Sequence, residues 1–310
     1  MSTAGGTAGA ARGTSRRTVG ILCAIGASVA WGLGSTTSDY VLSAGVGNDT
    51  FLVIELGVGC LVLLLLGALR GELGDFRHPG LFRASSTGLI EPWGAYTLGN
   101  VGIIFSSGAF VALVSSLNPV LVALLAAPYL GERVSRRAAL LMVISILGVS
   151  LVVGGAGAAG TLQPFGIIFA ILGLFCGAAY VLISSKLVRT VPILPLVASQ
   201  LFVAALASLA VLAVRVTALN GDVQLPSTTL QWIVSVATGI FGGAAPFILY
   251  LEATRRIPTT TVSQFTTLVP VIALIGGVIF LNDVTTPIQL VGTAIVVAAL
   301  SLLARYARAH

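Results

Sequence analysis

Charged side chains are scarce: Asp, Glu, Lys and Arg make up only 8% of the 310 residues. A soluble globular chain carries roughly a quarter of its residues charged, so a water-soluble enzyme is excluded at the outset. Histidine is scarcer still, with His78 in a polar loop and His310 at the terminus. Neither lies at membrane depth, so an intramembrane hydrolase lacks its base and a Cys/His metal cluster lacks its ligands. Cys23, Cys60 and Cys176 all fall in apolar runs and read as small buried residues, with no disulfide framework. A phosphate-binding loop is missing, which excludes an ATPase engine. Gly155-Ala-Gly157-Ala-Ala-Gly160 matches the dinucleotide fingerprint in letters only, because Pro164 interrupts before the next helix and no strand precedes it. No cofactor and no metal is expected.

What the chain has is apolar length. Hydrophobic residues are 56% of it, and the mean hydropathy is +1.05. The charge-free stretches 18–38, 190–214, 223–251, 257–282 and 284–304 each suffice for a bilayer crossing of roughly 20 residues. Two longer ones, 92–131 and 138–185, hold two crossings each. The expected fold is an all-α polytopic membrane protein with ten transmembrane helices, at 18–39, 50–69, 84–104, 107–129, 137–154, 164–185, 192–214, 228–250, 258–280 and 285–305. Residues 1–17, rich in Gly, Ala, Ser and Thr, read as a disordered cytoplasmic tail, and 306–310 as a cytoplasmic C-terminus. The first apolar run is too long for a cleaved signal peptide.

Of the 16 Lys and Arg residues, only Arg215 falls outside one alternating set of loops and termini. Short cytoplasmic loops retain positive charge, so both termini are expected inside, in a bacterial inner membrane. The net charge of +6 is spread through these loops, which argues against a nucleic-acid partner. Arg215 has Asp222 in the same external loop and reads as a snorkelling residue.

An internal repeat divides the chain. The nine residues from Leu117 and the nine from Leu268 align without gaps, placing Pro119 on Pro270 and Leu130-Gly-Glu132 on Leu281-Asn-Asp283. Gly20 and Gly166 begin similar triplets, and Glu55 falls opposite Gln200. Five-span repeats at 18–154 and 164–305, joined by an external linker at 155–163, would enter the membrane in opposite senses and form an inverted repeat.

Those residues carry a family resemblance. Pro119 followed by Leu130-Gly-Glu132, together with Tyr250 through Pro258, Pro270 and Leu281-Asn-Asp283, resembles an EamA-type transporter of the drug/metabolite transporter superfamily. The resemblance implies ten helices in two inverted repeats and export of small metabolites, with the bacterial amino-acid exporters the nearest fit. The chain departs from the usual pattern at Asn282-Asp283, where Gly-Glu is common, and at Glu55.

Glu55 and Glu91 are the acidic residues inside expected spans. A carboxylate there costs several kcal/mol unless protonated, paired or hydrated, so both are candidates for cavity lining or proton coupling. Pro92 breaks the third span, and Tyr96 and Asn100 follow it at four-residue steps. Pro119, Pro246 and Pro270 are expected to kink spans four, eight and nine. Trp31 with Ser35, Tyr180 with Ser184, and Gln264 with Thr267 supply aromatic and polar tips suited to a small zwitterion. The expected substrate-binding set is Trp31, Ser35, Glu91, Tyr96, Asn100, Asn118, Tyr180 and Gln264. Gly173 with Gly177 and Gly239 with Gly243 are expected to pack helices closely. Glu132 and Arg133 read as the cap of a helix–loop junction, or as a gating ion pair.

The function expected is secondary transport: export of small polar metabolites, amino acids first, by alternating access through a cavity between the repeats. The partners are that small molecule and the lipid bilayer, with the oligomeric state open and a monomer allowed. A passive channel is the first alternative, though no repeated filter sequence is present. An intramembrane enzyme is the second.

Overall fold

The computed structural model describes residues 4–105, 111, 114–154, 163–281 and 285–309, with side chains omitted at 4–14, 103–104, 281 and 307–309. The described residues are mostly helical and contain no strand. In hydrocarbon each backbone N–H and C=O must be satisfied within its own segment, and an uninterrupted apolar sequence does this as a helix. Eight helical stretches are long and apolar enough to cross a membrane: 15–43, 48–69, 136–154, 164–187, 193–218, 229–254, 259–280 and 287–306. A shorter apolar helix covers 118–130. This is a multi-pass helical membrane protein.

In chain order the helices are α1 (Ala4–Ser43), α2 (Asn48–Leu69), α3 (Leu81–Ser85), α4 (Ala95–Ile104), α5 (Asn118–Leu130), α6 (Arg136–Gly154) and α7 (Pro164–Leu187). They continue as α8 (Ile193–Ala218), α9 (Thr229–Thr238), α10 (Ala245–Thr254), α11 (Thr259–Phe265), α12 (Val269–Gly276) and α13 (Pro287–Ala309). Gly131 ends α5 in the left-handed conformation at φ 73°, where a Cβ would be strained. Thr228 opens α9 with a capping box closed by Gln231.

Three expectations change. The tail before residue 18 continues α1 back to Ala4: its glycines oppose a helix, but it contains no proline to stop one already nucleated. The third expected span, 84–104, is a series of pieces: α3, a 3-10 turn at Ser86–Leu89, a π turn at Ile90–Gly94, then α4. Glu91 is extended there, at φ −149° and ψ 133°, because the residue before a proline is driven out of the helical region. Finally, the prolines expected to kink spans four, eight and nine stand at seams: Pro246 and Pro270 lie inside the stretches 229–254 and 259–280 just after irregular turns, and Pro119 follows a turn at 116–117. Each occupies the first turn of α5, α10 or α12, where a missing N–H leaves no bond unmade. Irregular turns precede two of them: a π turn at Gly239–Ala244 before α10 and a 3-10 turn at Thr266–Leu268 before α12. Of the fourth expected span, 107–129, residue 111 and those from 114 onward are described, and the linker at 155–162, Asn282, Asp283 and His310 lie outside the described residues.

Helix pairing follows the small residues. α1 packs on α10 and α12, α7 on α4 and α5, α2 on α8 and on the turn at 239–244, α5 on α11, and α6 on α13. A Cβ added to Gly34 of α1 would stand 2.7 Å from Gly242 Cα, and one added to Gly148 of α6 would lie 3.0 Å from Gly292 O. Such contacts let backbones approach where hydrophobicity alone gives no preference between helix and lipid. Hydroxyls add interhelical bonds: Ser28 donates to Phe265 O at 2.8 Å and Thr36 to Ala273 O at 3.3 Å.

Gly34→Ala is therefore expected to destabilise by about 1–3 kcal/mol, because the obstructing atom is backbone and cannot swing aside. Gly57→Ala, with nothing within 4 Å of its Cβ, is expected to be neutral or stabilising by up to about 1 kcal/mol through helix propensity. Thermal melting of the detergent-solubilised variants separates the two.

Candidate functional site

A cavity of about 170 Å³ opens between the turn at Ile90–Gly94, α4, α5 and α7. Its polar lining is Glu91, Tyr96, Ser115 and Asn118, against small apolar walls that include Gly99, Gly173 and Gly177. One lining side chain is acidic and none is basic. Glu91 reaches the cavity because the extended conformation before Pro92 turns it out of the helical path. No described donor bonds its carboxylate, which leaves both oxygens available to a ligand. The carboxylate and the amide converge at Gly177, where a Cβ would stand 3.6 Å from Glu91 Oε2 and 2.9 Å from Asn118 Nδ2.

Beside the cavity stands an aromatic cluster. Phe247 of α10 packs edge-on against Trp31, at 5.3 Å between centroids, and against Tyr180, at 5.6 Å. Trp31 also meets Tyr250 in a tilted contact at 5.5 Å. Tyr96 bridges the cluster to the cavity: its hydroxyl accepts from Trp31 Nε1 at 3.2 Å and donates to Gly242 O at 3.1 Å. Gly242 lies in the π turn at 239–244, so a side chain from one half of the chain is tied to an irregular backbone segment in the other.

The eight expected binding residues therefore separate. Glu91, Tyr96 and Asn118 line the cavity together. Trp31 touches it only through Tyr96, and the Ser35 hydroxyl turns back to Trp31 O at 2.9 Å. Asn100 is drawn away to Asn48 Oδ1 at the start of α2. Tyr180 is fully buried and donates to Gln200 Oε1 at 3.0 Å, while Gln200 Nε2 donates to Thr87 at 2.6 Å. Gln264 is 2% exposed, and its Oε1 has no hydrogen-bond partner. Ser115 and Gly177 are lining residues that sequence reasoning missed as such. A lone serine and a packing glycine give no signal of their own, although Gly177 lies one helical turn from Gly173.

Glu55 is 3% exposed and abuts Gly242 of the same π turn, away from the cavity lining. Two charged groups find distant partners. Arg215 Nε pairs with Asp49 Oδ2 at 2.9 Å, joining α8 to α2, and Asp222 stands exposed. Glu132 forms no described ion pair with Arg133. Its two oxygens accept from Thr259 N and Thr260 N, each at 2.9 Å, because the first N–H groups of α11 have no partner within their own helix. The cap thus belongs to a helix of the other half. A second hollow, of about 230 Å³ between α1 and α9, is larger but lined mainly by Leu33, Leu230, Val234 and Phe280. The hydroxyls of Thr36 and Thr37 there are already bonded to backbone carbonyls, which leaves that hollow no free polar group at either threonine. Among the described residues no group of His, Cys, Asp and Glu is arranged to hold a metal.

Similarity to known proteins bears on this geometry. A solved crystal structure, 19% identical, superposes with a TM-score of 0.79 over 93% of this chain and 98% of its own, which speaks to the fold. The threonine/homoserine exporter RhtA of Escherichia coli is 33% identical over 82 residues, 26% of this chain and 28% of the exporter. A WAT1-related chloroplast protein of Arabidopsis thaliana is 35% identical over 83 residues, 27% of this chain and 20% of that protein. The chain thus matches well under two thirds of these relatives' lengths. The EamA-like transporter family matches residues 18–154 and 164–305. With both halves covered, the chain belongs to the EamA-like transporter family.

Proposed function

We propose that this chain exports small amino acids by alternating access through the cavity between α4, α5 and α7. The observation that carries this reading is a carboxylate without a bonded donor, Glu91, facing a small cavity that holds an amide but no cation. That lining attracts an ammonium group and repels a free anion. The volume of about 170 Å³ lies below the roughly 300 Å³ at which pockets for drug-sized ligands begin. The name of the partial relative RhtA, a threonine/homoserine exporter, points to the same class.

Ten spans in two inverted repeats, 18–154 and 164–305, belong to this proposal. Helix pairing supports it: exchanging the halves converts the contacts of α1 with α10 and α12 into those of α7 with α4 and α5. It likewise converts α2 against the turn at 239–244 into α8 against the turns at 86–94, while α2–α8 and α6–α13 map onto themselves. The distribution of Lys and Arg supports cytoplasmic termini, in a bacterial inner membrane. In that orientation the cavity lies toward the outside. The aromatic cluster and the Glu132 cap then close the cytoplasmic half. Glu55 and Glu91 are the candidate proton carriers, and the four prolines, each at or beside an irregular turn, are the candidate hinges.

The test is counterflow in proteoliposomes loaded with a panel of unlabelled amino acids. Transient accumulation of labelled threonine or another small amino acid is expected. Failure of every amino acid to accumulate contradicts the substrate class.

A further inference from the structure

Gly173 and Gly177 share one face of α7 but do different things. A Cβ on Gly173 would meet backbone, Ala95 O and Gly99 N, each at 3.4 Å, so this glycine serves the contact with α4. A Cβ on Gly177 would meet no backbone within 4 Å. It would enter the space between Asn118 Nδ2 and Glu91 Oε2, the groups through which the cavity can hold a ligand. Val111 and Leu174 are among the apolar lining. The bare Cα of Gly177 is thus a floor, and its missing methyl is part of the cavity's volume.

We propose that Gly177 sets the size limit of the substrate. The ammonium of an amino acid sits on Glu91, Asn118 Nδ2 donates to its carboxylate or side-chain hydroxyl, and the space over Gly177 accepts a side chain up to the size of threonine's but not that of leucine or an aromatic residue. This rests on the amino-acid reading of the same cavity. It adds a claim that reading does not need, namely which residue selects among amino acids. In a site this small, one methyl group changes discrimination by about 10–200-fold.

Two variants reconstituted in liposomes test the limit, with labelled glycine, threonine and leucine in counterflow. Gly177→Ala is expected to slow threonine at least about tenfold and to leave glycine within about twofold. Val111→Ala, which removes apolar bulk from the wall, is expected to raise leucine counterflow about tenfold. If Gly177→Ala slows threonine and glycine alike, or neither, the size limit is wrong while amino-acid transport stands. If that variant does not fold, leucine transport by Val111→Ala decides, and no gain overturns the proposal. If the unmodified protein moves no amino acid, the underlying reading fails, and the size limit falls with it.

Discussion

Glu91→Gln is expected to lower threonine counterflow about 100-fold and to leave the melting temperature unchanged. Both halves of this expectation come from the same observation. No described donor bonds the Glu91 carboxylate, so an isosteric amide removes nothing on which the fold depends. What it removes is the one negative charge in the cavity lining, and hence the partner of a substrate ammonium. A hydrogen bond to a charged group contributes about 1.5–3 kcal/mol, and 2.8 kcal/mol corresponds to about a factor of 100. The same variant separates the two candidate proton carriers. If a proton travels on Glu91, pH dependence disappears with the charge. If it travels on Glu55, pH dependence survives in Glu91→Gln and disappears in Glu55→Gln. A Glu91→Gln protein that transports at an unchanged rate with an unchanged pH profile contradicts any role for Glu91.

Glu132→Ala is expected to open the cytoplasmic half. The Glu132 carboxylate holds two backbone N–H groups at the start of α11, each at 2.9 Å, and so ties the end of α5 to a helix of the opposite half. Carboxylate bonds at a helix N-terminus combine hydrogen bonding with the favourable end of the helix dipole. Discounted for the partial exposure of Glu132, the pair contributes about 2 kcal/mol, a roughly 30-fold bias between closed and open states. The reporter is Gln264→Cys on a background lacking the native cysteines, since Gln264 is 2% exposed on α11 beneath the latch. An impermeant thiol reagent applied from the cytoplasmic side is expected to label it at least about tenfold faster when Glu132→Ala is added. Glu132→Gln, which keeps one acceptor oxygen, is expected to fall between. Equal labelling in all three contradicts a latch.

Membrane class and family were legible from composition and from motifs such as Leu130-Gly-Glu132, because scarcity of charge and spacing of turns survive without coordinates. The cavity-lining residues were only partly legible, for a physical reason. A helix that is apolar all round has no polar face to show which side looks inward. On α7, Tyr180 and Gly177 are three residues apart; the tyrosine turns to Gln200 and the glycine floors the cavity. Likewise Asn100, one turn beyond Tyr96, finds Asn48 because α2 starts beside it, a proximity visible only in three dimensions. Glu91 was legible because a carboxylate beside a proline in an apolar run is unfavourable on any face. The long-range pairs Arg215–Asp49 and Glu132–Thr259 were not, since nearby Asp222 and Arg133 offered closer partners in sequence.

The most direct measurement is efflux of labelled threonine from proteoliposomes with and without unlabelled threonine outside. A carrier that must return through its empty state is expected to release label several-fold faster when external substrate is present, and Glu91→Gln is expected to abolish the acceleration. Efflux unaffected by external threonine in the unmodified protein would mean a passive pore, and would contradict alternating access through the Glu91 cavity.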